Sequence, residues 1–369
     1  VKEHTLQKMI QQIQVEDLNN NPKQWVIYFQ YCVSILGNQK GEFNVTSGEE
    51  AKTLAIDALS RIFSPTVGKI FAGEDKRIIL GHFIAVILSI CVNSKNRANI
   101  LNSITLLENV CLYVHDANTL SCFLPGITGG VHKLICDKHN LKRGNNVLRS
   151  AISLWKTIIN LTISNDVNQY IDVENFRKCN KNKTKEDLQS LLQSYGVKVK
   201  RNAKIHGRNV NTDEMDNTLS PARSLDSTNK IQVHRNKKWL YETTAKISIV
   251  ASTILKTINS LNDVQSQNRY KVHLEIIELA NIILINCSNT MSATCQDDFL
   301  EIVLQFSISS ISDQVIENAN ITINKIKEMY AKNTSSGLWK RIENRFECVL
   351  KLMSKNLNID LEEDTLMKR

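Results

Sequence analysis

Apolar residues recur at steps of three and four along most of this chain, which places them on one side of successive α-helices. Ile100, Ile104, Leu107, Cys111 and Val114 form one such stripe, and Leu148, Ile152, Trp155 and Ile159 another. A third runs through Ile247, Val250, Ile254, Ile258 and Leu261, entered by Trp239 and Leu240. Val272, Ile276, Leu279 and Ile283 give a fourth, Ile316, Ala319, Ile323, Ile326 and Tyr330 a fifth, and Trp339, Ile342, Phe346, Val349 and Met353 a sixth. Ser47 followed by Glu50 fits a capping box that opens a helix carrying Leu54, Ala58 and Ile62. In the Val272 helix, Ile277, Ala280 and Leu284 add a second apolar face, as an inner helix flanked on two sides requires.

The helices also repeat. The pairs Ala51/Ala55, Ile100/Ile104, Val147/Ala151, Val272/Ile276 and Val315/Ala319 mark similar helix starts, separated by 49, 47, 125 and 43 residues. A unit of about 40 to 47 residues built from paired helices is the spacing of HEAT and armadillo arrays. The expected fold is therefore all-α: a HEAT/armadillo-like α-solenoid of stacked antiparallel helix pairs. The long interval is expected to hold an insertion and at least one further helix pair.

Composition sharpens this picture. Gly (13) and Pro (4) are scarce in 369 residues, so little interrupts the helices. Aromatic content of 6% predicts a core built mainly from Ile, Leu, Val and Ala. The net charge is +9, but Arg177 to Arg208 alone holds ten basic and two acidic residues, leaving 36 basic and 35 acidic elsewhere. That run lies in a stretch without sustained periodicity, which cannot bury enough apolar surface to offset ordering entropy. Three segments follow: helical repeats over 1–177, a basic and largely disordered insertion over 178–234, and a second block of repeats over 235–369. In the insertion, Lys198, Lys200, Arg201 and Lys204 are candidate contacts for an acidic partner, and Ser220, before Pro221, is a candidate phosphorylation site. Trypsin is expected to cut first between Lys198 and Arg208.

Candidate chemistry is sparse. Gly126-Ile127-Thr128-Gly129-Gly130 lacks the Gly-Lys-Ser/Thr ending of a phosphate loop and reads as small residues that let helices approach. His132, Cys136 and His139 share a spacing but have no fourth ligand for a structural zinc site. Glu49-Glu50 and Asp297-Asp298 read as carboxylates at helix starts, favourable at the positive end of the dipole. No nucleophile elbow occurs, so no enzyme, cofactor or metal is expected. Ile78 to Val92, the most apolar segment, is too short to span a bilayer and reads as a core helix. Nine irregularly spaced cysteines without a leading signal segment favour reduced thiols in the cytoplasm, with the nucleus as a second compartment. The chain reads as a piece of something longer.

Two stretches carry a family resemblance. The first is Phe123-Leu124-Pro125-Gly126-Ile127, followed by a helix, a turn with Gly144 and a helix from Asn146 to Ile163. The second begins at Arg235, passes through Trp239-Leu240 and continues to Leu279. In this order they resemble the N-terminal part of the Tel-two-interacting protein one family, the HEAT-repeat subunit of the TTT co-chaperone complex. The resemblance implies a scaffold that binds the other two TTT subunits. With the heat-shock chaperone machinery, that complex supports folding, assembly and stability of phosphatidylinositol-3-kinase-related kinases. It also implies no catalytic residue. The competing readings are another HEAT or armadillo adaptor, such as a transport receptor, and a nucleic-acid-binding protein using the basic insertion. Against the latter, Tyr195 is the lone aromatic in that basic run.

Overall fold

The computed structural model describes residues 2–15, 22–136, 144–171, 232–260, 269–308 and 312–331. The chain divides into two units, one of Val1–Ile171 with Ile231–Arg369 and one of Asp172–Lys230, the second lying wholly outside the described residues. Within the first, the described residues form twelve α-helices and no sheet, with one isolated bridge between Gly37 and Phe43. In order these are α1 (Lys2–Val15), α2 (Pro22–Leu36), α3 (Glu49–Ile62), α4 (Pro65–Phe71), α5 (Arg77–Asn93), α6 (Arg97–Val114), α7 (Ala117–Cys136), α8 (Asn145–Ile163), α9 (Lys237–Ser260), α10 (Tyr270–Asn281), α11 (Ala293–Ile308) and α12 (Asp313–Ala331).

Local chemistry sets several helix starts. Asn96 accepts from the Ala98 and Asn99 amides to open α6, and Asp116 accepts from the Thr119 amide at 2.7 Å to open α7. Asn236 does the same for α9 through the Trp239 amide, and Ser64, ahead of Pro65, for α4. The capping box at Ser47 does not form. Gly48 is the N-cap of α3, and the Ser47 hydroxyl instead donates to the Ile35 carbonyl at 2.8 Å, tying the loop back onto the end of α2.

The helices stack in two layers. One runs α2, α5, α7, α9, α11; the other runs α1, α3, α6, α8, α10, α12, each helix packing against the next in its layer. The ten residues that mark the repeat all lie in the second layer, and all are buried: Ala51/Ala55 on α3, Ile100/Ile104 on α6, Val147/Ala151 on α8, Val272/Ile276 on α10 and Val315/Ala319 on α12. The sequence period is therefore the step of the array. Across the 125-residue interval, α8 packs directly on α10 and α7 on α9. Within the described residues the interval thus holds one first-layer helix, α9, rather than a helix pair before the next step.

Trp155 is fully buried, as its stripe demands, but Trp239 is only half-buried. On α12 the buried face runs Val315, Ala319, Thr322 and Ile326, so Ile316 and Ile323 sit to one side of it. The core is also less aliphatic at its start than the composition suggests. Trp25, Phe29, Phe63, Phe71 and Phe83 form one aromatic cluster, with centroids 5.9 Å apart for Trp25–Phe71 and 5.1 Å for Phe29–Phe83. Gly68 lets α4 press on α6: a Cβ there would fall 2.4 Å from the Tyr113 carbonyl carbon.

Candidate interaction surfaces

At the seam between the stretches before and after residues 172–231, one side chain gathers several partners. The Arg235 guanidinium reaches the loop after α8, where Nη2 donates to the Val167 carbonyl at 2.9 Å, the Thr162 carbonyl at 3.2 Å and Asn168 Oδ1 at 2.8 Å. Nη1 donates to Asn118 Oδ1 at 3.3 Å on α7. The Tyr170 and Trp239 rings lie 5.7 Å and 5.6 Å from the guanidinium carbon. Burial pushes the Arg235 pKa below its ordinary value, opposed by Tyr170 and Asp116, and an arginine keeps its charge regardless. Beside it is a cleft of about 410 Å³ lined by Glu74, Arg77, Asn118, Tyr170 and 232–235, where the N-terminal ends of α5, α7 and α9 gather.

A second set of contacts stitches the second layer together. Glu49 on α3 accepts from Asn99 Nδ2 on α6 at 3.0 Å. Glu108 on α6 accepts from the Ser153 and Thr157 hydroxyls on α8, at 2.8 and 3.0 Å. Lys156 on α8 donates to Glu275 at 2.5 Å and to Glu278, both on α10. Burial pulls the Lys156 pKa down, but these hydrogen bonds and charges outweigh it and raise it overall. Farther along, the Asn165 amide donates to the Asn286 carbonyl at 2.7 Å, and the Thr290 hydroxyl to that of Ile163 at 2.6 Å. Asn286 closes a π-turn, Ile282–Asn286, that extends α10. Polar groups thus join each second-layer helix from α3 to α10 to its neighbour.

The family-like residues split by role. Phe123, Leu124 and Leu240 are buried and serve packing, with Phe123 against Gly81, whereas Pro125 and Gly126 are exposed on α7. Of the glycines beside them, Gly130 alone admits a neighbour, since a Cβ there would fall 2.7 Å from Leu88; Cβ atoms at Gly126 and Gly129 would meet nothing within 4 Å. Lys198, Lys200, Arg201, Lys204 and Ser220 lie outside the described residues, as does His139. His132 and Cys136 are half-buried, and the Cys136 thiol accepts from Thr257. Among the described residues no cluster could hold a metal ion.

Glu49 and Glu50 do open α3, but Asp297 and Asp298 sit in the second turn of α11, not at its start. Burial pushes the Cys32, Cys111 and Cys295 thiols up to about 12, so these are packing residues rather than nucleophiles. No described helix is long and apolar enough to cross a membrane. Sequence reasoning gave no bonding role to Arg235, Lys156, Glu275 or Glu108, because the polar partners that define each lie at least 45 residues away and leave no local pattern.

Residues 1–309 match the family described as TTI1 N-terminal TPR domain, and the chain belongs to this Tel-two-interacting protein one family. Comparison with curated proteins and with solved structures gives no match. The description names tetratricopeptide repeats, whose unit is about 34 residues, whereas steps of 43 to 49 residues here have the HEAT length. Both names denote stacked helix pairs, and the two-layer array satisfies that shared architecture.

Proposed function

We propose that this member of the Tel-two-interacting protein one family is a non-enzymatic scaffold subunit of a TTT-like co-chaperone complex. It supports folding, assembly and stability of phosphatidylinositol-3-kinase-related kinases, working with the other two TTT subunits and the heat-shock chaperone machinery. The observation that carries this reading is the family match over 1–309, laid on an array that runs without a break from α1 to α12. An extended stack of helices holds partners by surface rather than by chemistry. Buried, high-pKa cysteines and carboxylates occupied in holding helices together agree with a binding role. The proposed compartment is the cytoplasm, with the nucleus as a second site.

Abundance of the client kinases is the natural readout, because a scaffold near a chaperone shifts clients between folding and degradation. Depleting the protein should lower several of these kinases together, with messenger levels unchanged. Re-expression should restore them, whereas a variant with Ile254→Asp and Ile258→Asp should not. Both isoleucines are about 1% exposed, so each aspartate would bury an unpaired charge at a cost of several kcal/mol. Kinase levels that persist after depletion would overturn the assignment.

A further inference from the structure

Charge is unevenly spread along the array. Residues 76–165 hold ten Lys or Arg and three Asp or Glu, whereas residues 270–331 hold three and eight. Contacts between helix ends show where the basic excess gathers. Glu49 at the start of α3 meets Asn99 at the start of α6. Arg97, opening α6, lies so near the start of α8 that a Cβ at Gly144 would fall 3.0 Å from its Nη2. Arg149 on α8 reaches Glu275 on α10 at 3.9 Å. Second-layer helices therefore run parallel and begin on one edge of the stack. First-layer helices end on it: Thr257, late in α9, donates to Cys136 at the end of α7, and Arg269, just ahead of α10, donates to the Ile258 carbonyl.

Six bases of the described residues share this edge from α6 to α10. Lys95, Arg97 and Lys256 are exposed, the Arg149 side chain is 51% exposed, and Arg269 and Lys271 are half-buried. The described carboxylates around them are engaged or set back. Glu275, its side chain 11% exposed, holds Lys156 as well as Arg149, and Glu278, farther down α10, holds Lys156 too. Glu108 sits in the second half of α6, bonded to α8, and Asp116 opens α7 at the opposite edge. Glu49 and Glu50 bound the patch at α3. Asp137 and Asp263 lie outside the described residues, as do Lys138, Lys142 and Arg143.

We propose that this edge docks an acidic segment of a partner protein, held extended across the starts of α6, α8 and α10. Charge complementarity selects the acidic occupant. Spacing selects a polypeptide. Helix starts about 10 Å apart spread the bases over roughly 20 Å, the span of about six extended residues. A carboxylate at every third position would then meet one helix start each. Single-stranded nucleic acid would call for aromatic rings between the bases. Tyr270 is the one Phe, Tyr or Trp within two positions of any of the six, and the Lys271 ammonium already stands 5.8 Å from its ring.

The test is fluorescence anisotropy of a labelled peptide, four repeats of Glu-Ser-Ser, titrated with the purified 369-residue chain at about 50 and 200 mM salt. The parent should bind it, more weakly at the higher salt, and a peptide with Lys in place of Glu should not bind. Lys95→Gln, Arg97→Gln and Arg149→Gln together should weaken binding about tenfold, and Lys256→Gln alone by a smaller factor. Changing Lys198, Lys200, Arg201 and Lys204 to Gln should leave it within about threefold, since those residues are not part of the edge. Circular dichroism of each variant checks that the helices remain. A parent that does not bind would overturn the proposal, as would binding that falls with the four insertion residues and not with the edge. An oligothymidylate of equal charge that binds more tightly than the peptide through the same three residues would overturn it too. None of these outcomes bears on the client-kinase reading, which depletion tests separately.

Discussion

His273 offers the most direct check on the packing of the array. It lies on α10, 1% exposed, stacked on Phe306 of α11 with ring centroids 4.6 Å apart, and among the described residues neither ring nitrogen finds a hydrogen-bond partner. Burial, aided by the Arg269 charge, lowers its pKa from 6.5 to about 4. The sign follows from linkage. Between pH 6.5 and 4 the unfolded chain binds a proton that the folded chain refuses, so stability falls as pH falls through this window. Above it the imidazole is neutral in both states, and below it both are protonated, so no further loss arises. One pH unit inside the window costs about 1.4 kcal/mol, or about 2 kcal/mol between pH 7 and pH 5. For an array of this size that lowers Tm by roughly 5 °C. His273→Leu removes the titrating group and two unpartnered nitrogens while losing the stack on Phe306, so its stability at pH 7 should change by no more than about 1 kcal/mol. Thermal melts of both proteins at pH 7 and pH 5 decide the matter. If the variant loses as much stability on acidification as the parent, His273 is not the buried neutral imidazole described here.

Other positions give sharper local tests. Gly68→Ala should cost about 1 to 3 kcal/mol, because the new methyl meets the Tyr113 backbone, whereas Gly126→Ala should stabilise by up to about 1 kcal/mol; denaturant melts should show the two glycines moving in opposite directions. Lys156→Met removes the cation shared by Glu275 and Glu278 and leaves Glu275, with its side chain 11% exposed, facing the more distant Arg149 at 3.9 Å. A loss of about 2 kcal/mol is expected, and recovery of most of it by adding Glu275→Gln would show that the stranded charge, not lost packing, was the cause. Arg235→Met should cost about 2 kcal/mol and speed amide exchange in 164–170, since the Val167 carbonyl and Asn168 Oδ1 lose the guanidinium and the Thr162 carbonyl keeps only its bond from Asn168; unchanged exchange there would remove Arg235 from its role at the seam.

The architecture was legible because second-layer helices are enclosed on two sides. Enclosure selects apolar residues on two faces, as on α10, and β-branched or small residues at the first buried turn, so the ten marker positions stand out without any alignment. Legibility failed where neighbours rather than periodicity choose the face. On α12 both Val315 and Ile316 are apolar, and only the packing of α10 and α11 decides that Val315 is the buried one. Ser47 illustrates a second limit: its hydroxyl could cap α3 or close onto α2, and the tertiary turn through Gly48 settles the choice. The candidate surfaces were the least visible. The excess of Lys and Arg over 76–165 is plain in the sequence, but its gathering at one edge depends on the contacts of Asn99, Gly144 and Thr257.

The seam at Arg235 bears on why a chain of this kind keeps one array despite 60 residues between Ile171 and Gln232. Loop-closure entropy grows only logarithmically, so a connection twelve times longer than a five-residue turn adds about 2 kcal/mol. That cost falls on the step between α8 and α10, where the polar contacts crossing the seam are densest. Arg235 holds the start of α9 to the α8 loop, Lys156 joins α8 to two carboxylates of α10, and Asn165 and Thr290 join the far ends of the same two helices. Each is a contact between residues more than 60 positions apart, and a charge-assisted one contributes about 1.5 to 3 kcal/mol. Together they exceed the closure term, so the two stretches should unfold as one cooperative unit, in a single calorimetric transition. Two transitions in the parent would mean that the seam is weaker than its hydrogen bonds suggest. Two transitions only when Lys156→Met and Arg235→Met are combined would show that these contacts carry the coupling.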